Sequence, residues 1–307
     1  MLKVLPIIIG VTLITFGLIF FSPVDPAEMH FHNAGYTPTQ DMLEAFREKN
    51  GLNKGFIEQY TDWWKKLFKG DLGESYDNGR KVSENIGRAL PYTVSLAVNS
   101  MLLTLVIAFP LGFYMAMREN SVLTKILSAL SLLTVSLPSF IVALIFMYVL
   151  SSKLKLLPIL TDKPEVGVIM PSLTLAVIMS SRYLRQIRTV AEEELKKDHI
   201  YGLRARGISD GKILLNTVLK NTAVEIITIV GLSLGSLMGG VTIIETIFNW
   251  PGLGKLMTDS VMARDVPMIQ GTIIFMSLSY VLINLITDIL YGVLDPRIRL
   301  GGEDDKG

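Results

Sequence analysis

The sequence predicts an all-α membrane protein of six transmembrane helices with both termini in the cytoplasm. Three observations carry that prediction. Half of the 307 residues are hydrophobic and only 19% are charged, a balance too apolar for an ordinary soluble domain. Six stretches reach or approach the roughly 20 apolar residues needed to cross a hydrocarbon core about 30 Å thick. Lysine and arginine gather on one side of those stretches, fifteen against five in the short loops.

The first stretch, Val4 to Val24, carries no charge. Only Lys3 precedes it, and "FSPVDPAE" offers no small-x-small cleavage site, so it reads as a retained helix rather than a signal peptide. The second runs from Thr93 to Met117, the third from Ile126 to Ser152, and the fourth, short one from Val166 to Ser181. The fifth spans Ile226 to Ile244 and the sixth Val266 to Thr287. Pro110, Pro138 and Pro171 fall inside the second, third and fourth, where neighbouring helices can satisfy the freed carbonyls. The inner side carries Lys3, Arg118, Lys125, nine bases from Arg182 to Lys220, Arg297, Arg299 and Lys306; the outer loops carry Lys153, Lys155, Lys163, Lys255 and Arg264. The long segment after the first helix is left out of that tally, because loops beyond roughly 60 residues escape the rule. The resulting organisation is a first helix in residues 1–24, an outer region in 25–92, a five-helix core in 93–295 with a cytoplasmic loop at 182–225, and a tail in 296–307.

The outer region from Asp25 to Arg88 holds eleven acids and nine bases. Within it "TPTQDMLEAFREKNGL" reads as a capped helix ending at Gly51. "FIEQYTDWWKKLF" reads as an amphipathic helix whose aromatic edge includes Trp63 and Trp64. The two would either lie on the lipid headgroups or form a docking surface. His30 and His32 flank Phe31, and an extended H-x-H pair could bind a transition metal, but two ligands do not make a site. The absence of cysteine excludes disulfides, thiolate metal centres and cysteine nucleophiles.

The cytoplasmic loop is the most informative segment. Charges interrupt it every few residues, so it cannot re-enter the membrane. "TVAEEELKKDHIYGLRARG" reads as a helix, with Glu192 to Glu194 placed to pair with Lys196 and Lys197 one turn on. Gly207 would end that helix in a left-handed cap, and Ser209 or Asp210 would cap the next. "GISDGKI" fails as a phosphate loop: it has three residues between its glycines where four are needed, and Ile213 stands where a Ser or Thr should bind magnesium. The bland reading of the loop is a solvated amphipathic connector.

Arg204, Ala205, Arg206, Gly207 and Ile208, followed by Leu219, Lys220 and Asn221, resemble the cytoplasmic loop of ABC importer permeases in the dipeptide, oligopeptide and nickel branch. His199 and the triplet Tyr201, Gly202, Leu203 depart from that family's pattern, while the glycine spacing is kept. "ETIFNWPGLGKLMTDSVMARDVPMIQG", "LYGVLDPRIRL" and "DLGESY" with "VSENIGRALPYTVSLA" resemble the family in the same order along the chain. The resemblance implies a type I importer transmembrane domain in the cell membrane. It also implies that Asp198, His199 and Arg204 to Ile208 form a coupling helix docking on an ATPase. The implied partners are a second, similar permease, two ATPase subunits and an external solute-binding protein, with surrounding lipid and no nucleic acid. ATP and magnesium would sit in the partner subunits, with no cofactor and no catalytic residue in this chain. The implied cargo is nickel, a metal chelate or short peptides. "DPA" at Asp25 to Ala27, "TP" at Thr37 and Pro38, and "YTDWW" look most like the nickel branch.

Polar residues inside the spans are the candidates for the translocation path: Asn99, Ser136, Ser139, Glu245 and Asn284, with Ser100 beside the first. Each could equally be an interhelical hydrogen bond. Glu245, beside Trp250 and Pro251, would brace a loop folding back toward the path, and Asp288 would sit at the inner mouth. Gly231, Gly235 and Gly239 recur every fourth residue and allow close helix approach. An ion-coupled secondary transporter would instead need paired acids at mid-membrane, and the spans hold none. A membrane enzyme would need a catalytic cluster, and none is convincing.

Overall fold

The computed structural model describes residues 4–159 and 163–294. Lys3, Arg297, Arg299, Lys306 and the DPRIRL ending lie outside the described residues, as do the surroundings of Gly235, Gly239 and the Asp288 side chain. All the regular elements described are helices, and the only extended pairing among the described residues is a single bridge between Glu74 and Lys81. The first four are α1 (Val4–Phe20), α2 (Pro26–Asn33), α3 (Gln40–Asn50) and α4 (Phe56–Phe68). The long α5 (Val82–Met117) is followed by α6 (Val122–Ser136) and α7 (Ser139–Phe146), which runs on into a wide π turn, Met147–Lys153. Next come α8 (Pro164–Gly167), α9 (Ile169–Leu195), α10 (Asp198–Ala205) and α11 (Asp210–Ile213). After a second π turn, Leu214–Val218, the chain ends with α12 (Leu219–Gly240), α13 (Thr242–Ile247), α14 (Leu253–Ala263) and α15 (Val266–Leu294).

Four helical stretches are long and apolar enough to cross a membrane unaided: Val82–Met117, Pro164–Leu195, Val266–Thr287 and Asp210–Gly231, the last beginning within the segment expected to stay in the cytoplasm and ahead of the fifth span expected at Ile226. The third expected span differs. Its two halves, α6 and the α7–π run, meet at 109° instead of forming one rod over Ile126 to Ser152. Leu137 is extended at φ −86°, ψ 135°, the conformation favoured before a proline, and Pro138 supplies no N–H to continue the ladder. By contrast Pro110 sits within a continuous α5, and Pro171 falls in the first turn of α9, where no N–H bond is lost. The first span is also shorter than expected, ending at Phe20 before a turn through Ser22 and Pro23. Asp25 then caps α2 by accepting from the Ala27 N–H at 2.9 Å.

The chain divides into two compact units, residues 1–93 with 251–281, and residues 94–250 with 282–307. In the first, α3 is capped by Thr39 and stopped by Gly51 in the left-handed region, as the sequence predicts. Helix α4 lies on α1: the Tyr60 hydroxyl is 3.0 Å from Thr12 Oγ1, and the Phe16 ring meets Phe56 and Tyr60 edge-on at 5.5 Å. Val82, Ile86, Ala89, Leu253 and Met268 form this unit's buried core. Asp265 opens α15, accepting from Ser75 Oγ and the Met268 N–H. Burial, and then the Asp265 carboxylate, push the Tyr76 hydroxyl well above its ordinary pKa.

In the second unit α9 is the central helix, packed on α6, α7, α12 and α13. Small residues set the closest approaches. A Cβ at Gly112 would come within 2.8 Å of Ile187 Cγ2, and one at Gly231 within 2.4 Å of Thr287 Cγ2. The expected ridge on the fifth span therefore packs helix to helix at Gly231.

Candidate functional site

Beyond Ser181 the apolar part of α9 gives way to Arg182, Arg185, Arg188 and Glu192 to Glu194. Glu194 lies about 20 Å past Ser181 at helical rise. The helix then stops at Leu195, so the single helix expected from Thr189 to Arg206 is broken at Lys196 and Lys197. The reason is tertiary. The Glu194 side chain is only 4% exposed and accepts from Lys197 Nζ and from Asn221 Nδ2 at the start of α12, with His199 Nε2 lying 3.2 Å from it. Glu192 pairs backward with Arg188, and among the described residues the predicted one-turn pairs to Lys196 and Lys197 do not form; Lys197 pairs three residues back with Glu194. Burial pushes the Glu194 carboxyl up. The hydrogen bonds from Asn221 and Lys197, with the charges of Lys197 and His199, outweigh it and hold the pKa below its ordinary value.

Helix α10 follows, and Gly207 closes it at φ +74°. The Gly207 N–H bonds Arg204 O at 2.9 Å and the Ile208 N–H bonds Leu203 O at 3.2 Å, which satisfies the last carbonyls of the helix. Ser209 then takes the capping position of α11, although its side chain makes no cap bond. Arg204 Nε reaches Asp210 Oδ1 at 3.1 Å across the turn, an exposed pair of the kind worth about 0–1 kcal/mol. Ile200 and Ile213, at 0% and 1% exposure, anchor the two short helices. Asp198, His199, Arg204, Ala205, Arg206, Gly207 and Ile208 are all exposed. The loop thus has a fixed base and a basic, partly apolar tip. A cavity of about 580 Å³ lies beside it, lined by Arg118, Glu119, Lys196, Tyr201, Arg204 and Asp210 among others.

The translocation candidates are distributed over α5, α6, α7, α13 and α15. The Asn99 amide donates to Ser95 O at 2.7 Å, and Ser136 Oγ donates to Leu132 O at 2.9 Å, each within its own helix. Ser100 behaves likewise, donating to Leu96 O. Ser139 is the first residue of α7, just past the Pro138 corner, and Asn284 is half-buried in α15. Glu245 is fully buried, and its carbonyl accepts the Trp250 N–H at 2.7 Å, closing the turn after α13. His30 and His32 require a correction: both lie in α2, not in an extended segment. Two residues apart on a helix they point about 200° from one another and cannot share an ion. No group of three His, Asp or Glu able to hold a metal occurs among the described residues.

Long apolar helices, a short-helix region after α1 and an exposed basic loop after α9 are the architecture of a multi-pass membrane protein. The model of the family described as "binding-protein-dependent transport system inner membrane component" matches residues 108–300, and a companion model for the N-terminal part of such components matches residues 1–97. The nickel import system permease protein NikB of Staphylococcus aureus strain bovine RF122 / ET3-1 is 30% identical over 308 residues, covering 100% of this chain and 93% of the relative. The strain USA300 protein of the same name is 30% identical over 300 residues, covering 98% and 90%. The inward-facing MetNI methionine ABC transporter aligns with a TM-score of 0.58 over 68% of this chain and 96% of its own, at 15% identity, which establishes a shared fold. This chain belongs to the binding-protein-dependent transport inner-membrane component family and is a multi-pass permease subunit of an ABC importer.

Proposed function

We propose that this subunit forms half of the translocation path for nickel or a small nickel chelate, paired with a second permease, two cytoplasmic ATPases and an external binding protein. The observation that carries the reading is end-to-end similarity to permeases named for nickel import, reaching through the outer region as well as the core. The Gly207 turn is the handle on which the ATPase acts. Its exposed tip, Asp198, His199 and Arg204 to Ile208, meets the partner, and the buried Glu194 cluster carries the displacement into α9 and α12. Nucleotide and magnesium belong to the ATPases, and this chain moves cargo without catalysing a reaction. Two-state switching then follows from the different affinities of the ATP-bound and ATP-free partners for the two arrangements of the bundle.

Short peptides are the second reading, favoured by the match of Arg204 to Ile208 to the peptide branch as well. Uptake by the assembled importer in vesicles separates them. ATP-dependent accumulation of nickel that excess di- to pentapeptides leave untouched supports the first. Peptide uptake without nickel uptake supports the second. Accumulation by the isolated chain, with no ATPase bound, would overturn the importer mechanism.

A further inference from the structure

The outer unit contains a cleft that the transport reading does not use. Two cavities of about 480 and 460 Å³ share the walls formed by Phe16, Leu52, Gln59, Val266 and Gln270. Gln270 is 5% exposed, and among the described residues its Nε2 donates to nothing. Leaving a buried amide donor unsatisfied costs about 1–3 kcal/mol, so the position calls for an acceptor. The chemistry of the walls is graded. On one side are Phe16, Ile19 and Phe20 of α1, continuous with the exposed apolar flank of that helix at Leu18 and Phe21. On the other are Ser22, the Asp25–Arg47 ion pair and Asn53. Lys49 and Lys66 line the second cavity and make no ion pair among the described residues, while Lys54 and Lys65 both bind Asp62. A run of ring contacts from Phe20 and Phe56 through Tyr60 to Trp63 and Trp64 lies beside the cleft, and tryptophan and tyrosine are enriched at membrane–water boundaries.

We propose that this cleft holds one phospholipid, with a phosphodiester oxygen accepting the Gln270 amide and an acyl chain laid along Phe16, Ile19 and Phe20. Lys49 and Lys66 face the phosphate, and with Lys54 and Lys65 they leave the lining one positive charge in excess of Glu48, Asp62 and Asp71. The cavity of about 480 Å³ beside Phe16, Ile19 and Phe20 suits the upper part of one chain, and the open apolar flank of α1 lets the remainder stay in the bilayer. The site is independent of which cargo the importer moves.

The test uses the full chain purified in its assembly in mild detergent, with bound lipid counted by native mass spectrometry and phosphorus assay. One phospholipid per chain should survive extensive washing. Gln270→Leu, which removes the donor at nearly constant volume, should weaken retention about tenfold, the equivalent of one hydrogen bond to a charged group. If that variant does not assemble, the delipidated wild type answers instead: phosphatidylglycerol should raise its unfolding temperature, whereas diacylglycerol and inorganic phosphate should not. Equal stabilisation by diacylglycerol would remove the phosphate from the site. Equal stabilisation by inorganic phosphate would make it an anion site without lipid. Undiminished retention in Gln270→Leu, or none in the wild type, would overturn the proposal.

Discussion

Gly207 illustrates how one residue type can be required for its backbone alone. Its φ is +74°, and no heavy atom lies within 4 Å of where a Cβ would stand. A side chain would therefore meet open space, and the objection to it is the left-handed conformation, roughly 1–2 kcal/mol for an L residue. Gly207→Val should insert and assemble normally yet hydrolyse ATP without matching uptake, whereas Gly207→Asn, which tolerates that conformation, should retain most transport. Parallel ATPase and uptake measurements on vesicles check both. At Glu194 the requirement is for charge. Glu194→Ala would strand the Asn221 amide and should cost about 1–3 kcal/mol of stability along with coupling. Because the Glu194 pKa is held below its ordinary value of 4.5 in the fold, its contribution is complete above that value and fades as pH falls through the folded pKa. Thermal unfolding of wild type and Glu194→Gln should accordingly converge in acid and separate at neutral pH. The two residues differ in how readable they are. Gly207 announces its turn within a five-residue motif. Glu194 looks like one more acid on a charged helix, because its partner Asn221 lies in another helix and only the fold brings it near.

At the scale of the helix, small residues and prolines decide the packing. Gly231 on α12 faces Thr287 on α15 so closely that Gly231→Leu would overpack the contact, with an expected loss of 1–3 kcal/mol, about the usual cost of added methylenes, read as a lower unfolding temperature in detergent. The every-fourth-residue glycines made that contact legible in advance. The Pro138 corner was not, since proline inside a transmembrane helix is often accommodated and only the actual neighbours determine whether the helix continues. The histidines went the other way. A two-residue spacing chelates only from extended backbone, and Asp25 as N-cap with Pro26 at the first helical position starts a helix there, a signal present in the sequence that the extended reading passed over. Replacing His30 and His32 together by alanine should leave nickel uptake unchanged, measured with radiolabelled metal.

For the molecule as a whole, the lysines and arginines predict the side of the membrane on which each loop lies, because insertion responds to charge before tertiary structure exists. Apolar length gave the order of the spans, while the helices themselves run past the apolar stretches, as where α5 begins at Val82, eleven residues before Thr93. The natural chain has no cysteine, so single cysteines report location without background. Ser209→Cys should react with an impermeant maleimide only from the cytoplasmic side, and Lys69→Cys only from outside. Labelling of both from one face would refute the topology.

The clasp at Glu194 has a consequence for how work reaches the bilayer. It fastens the end of one membrane-crossing rod to the beginning of another at a single pivot, with Asn221 on the far side of the joint. On the proposed coupling, a pull at the loop's tip would reach α9 and α12 through this one joint.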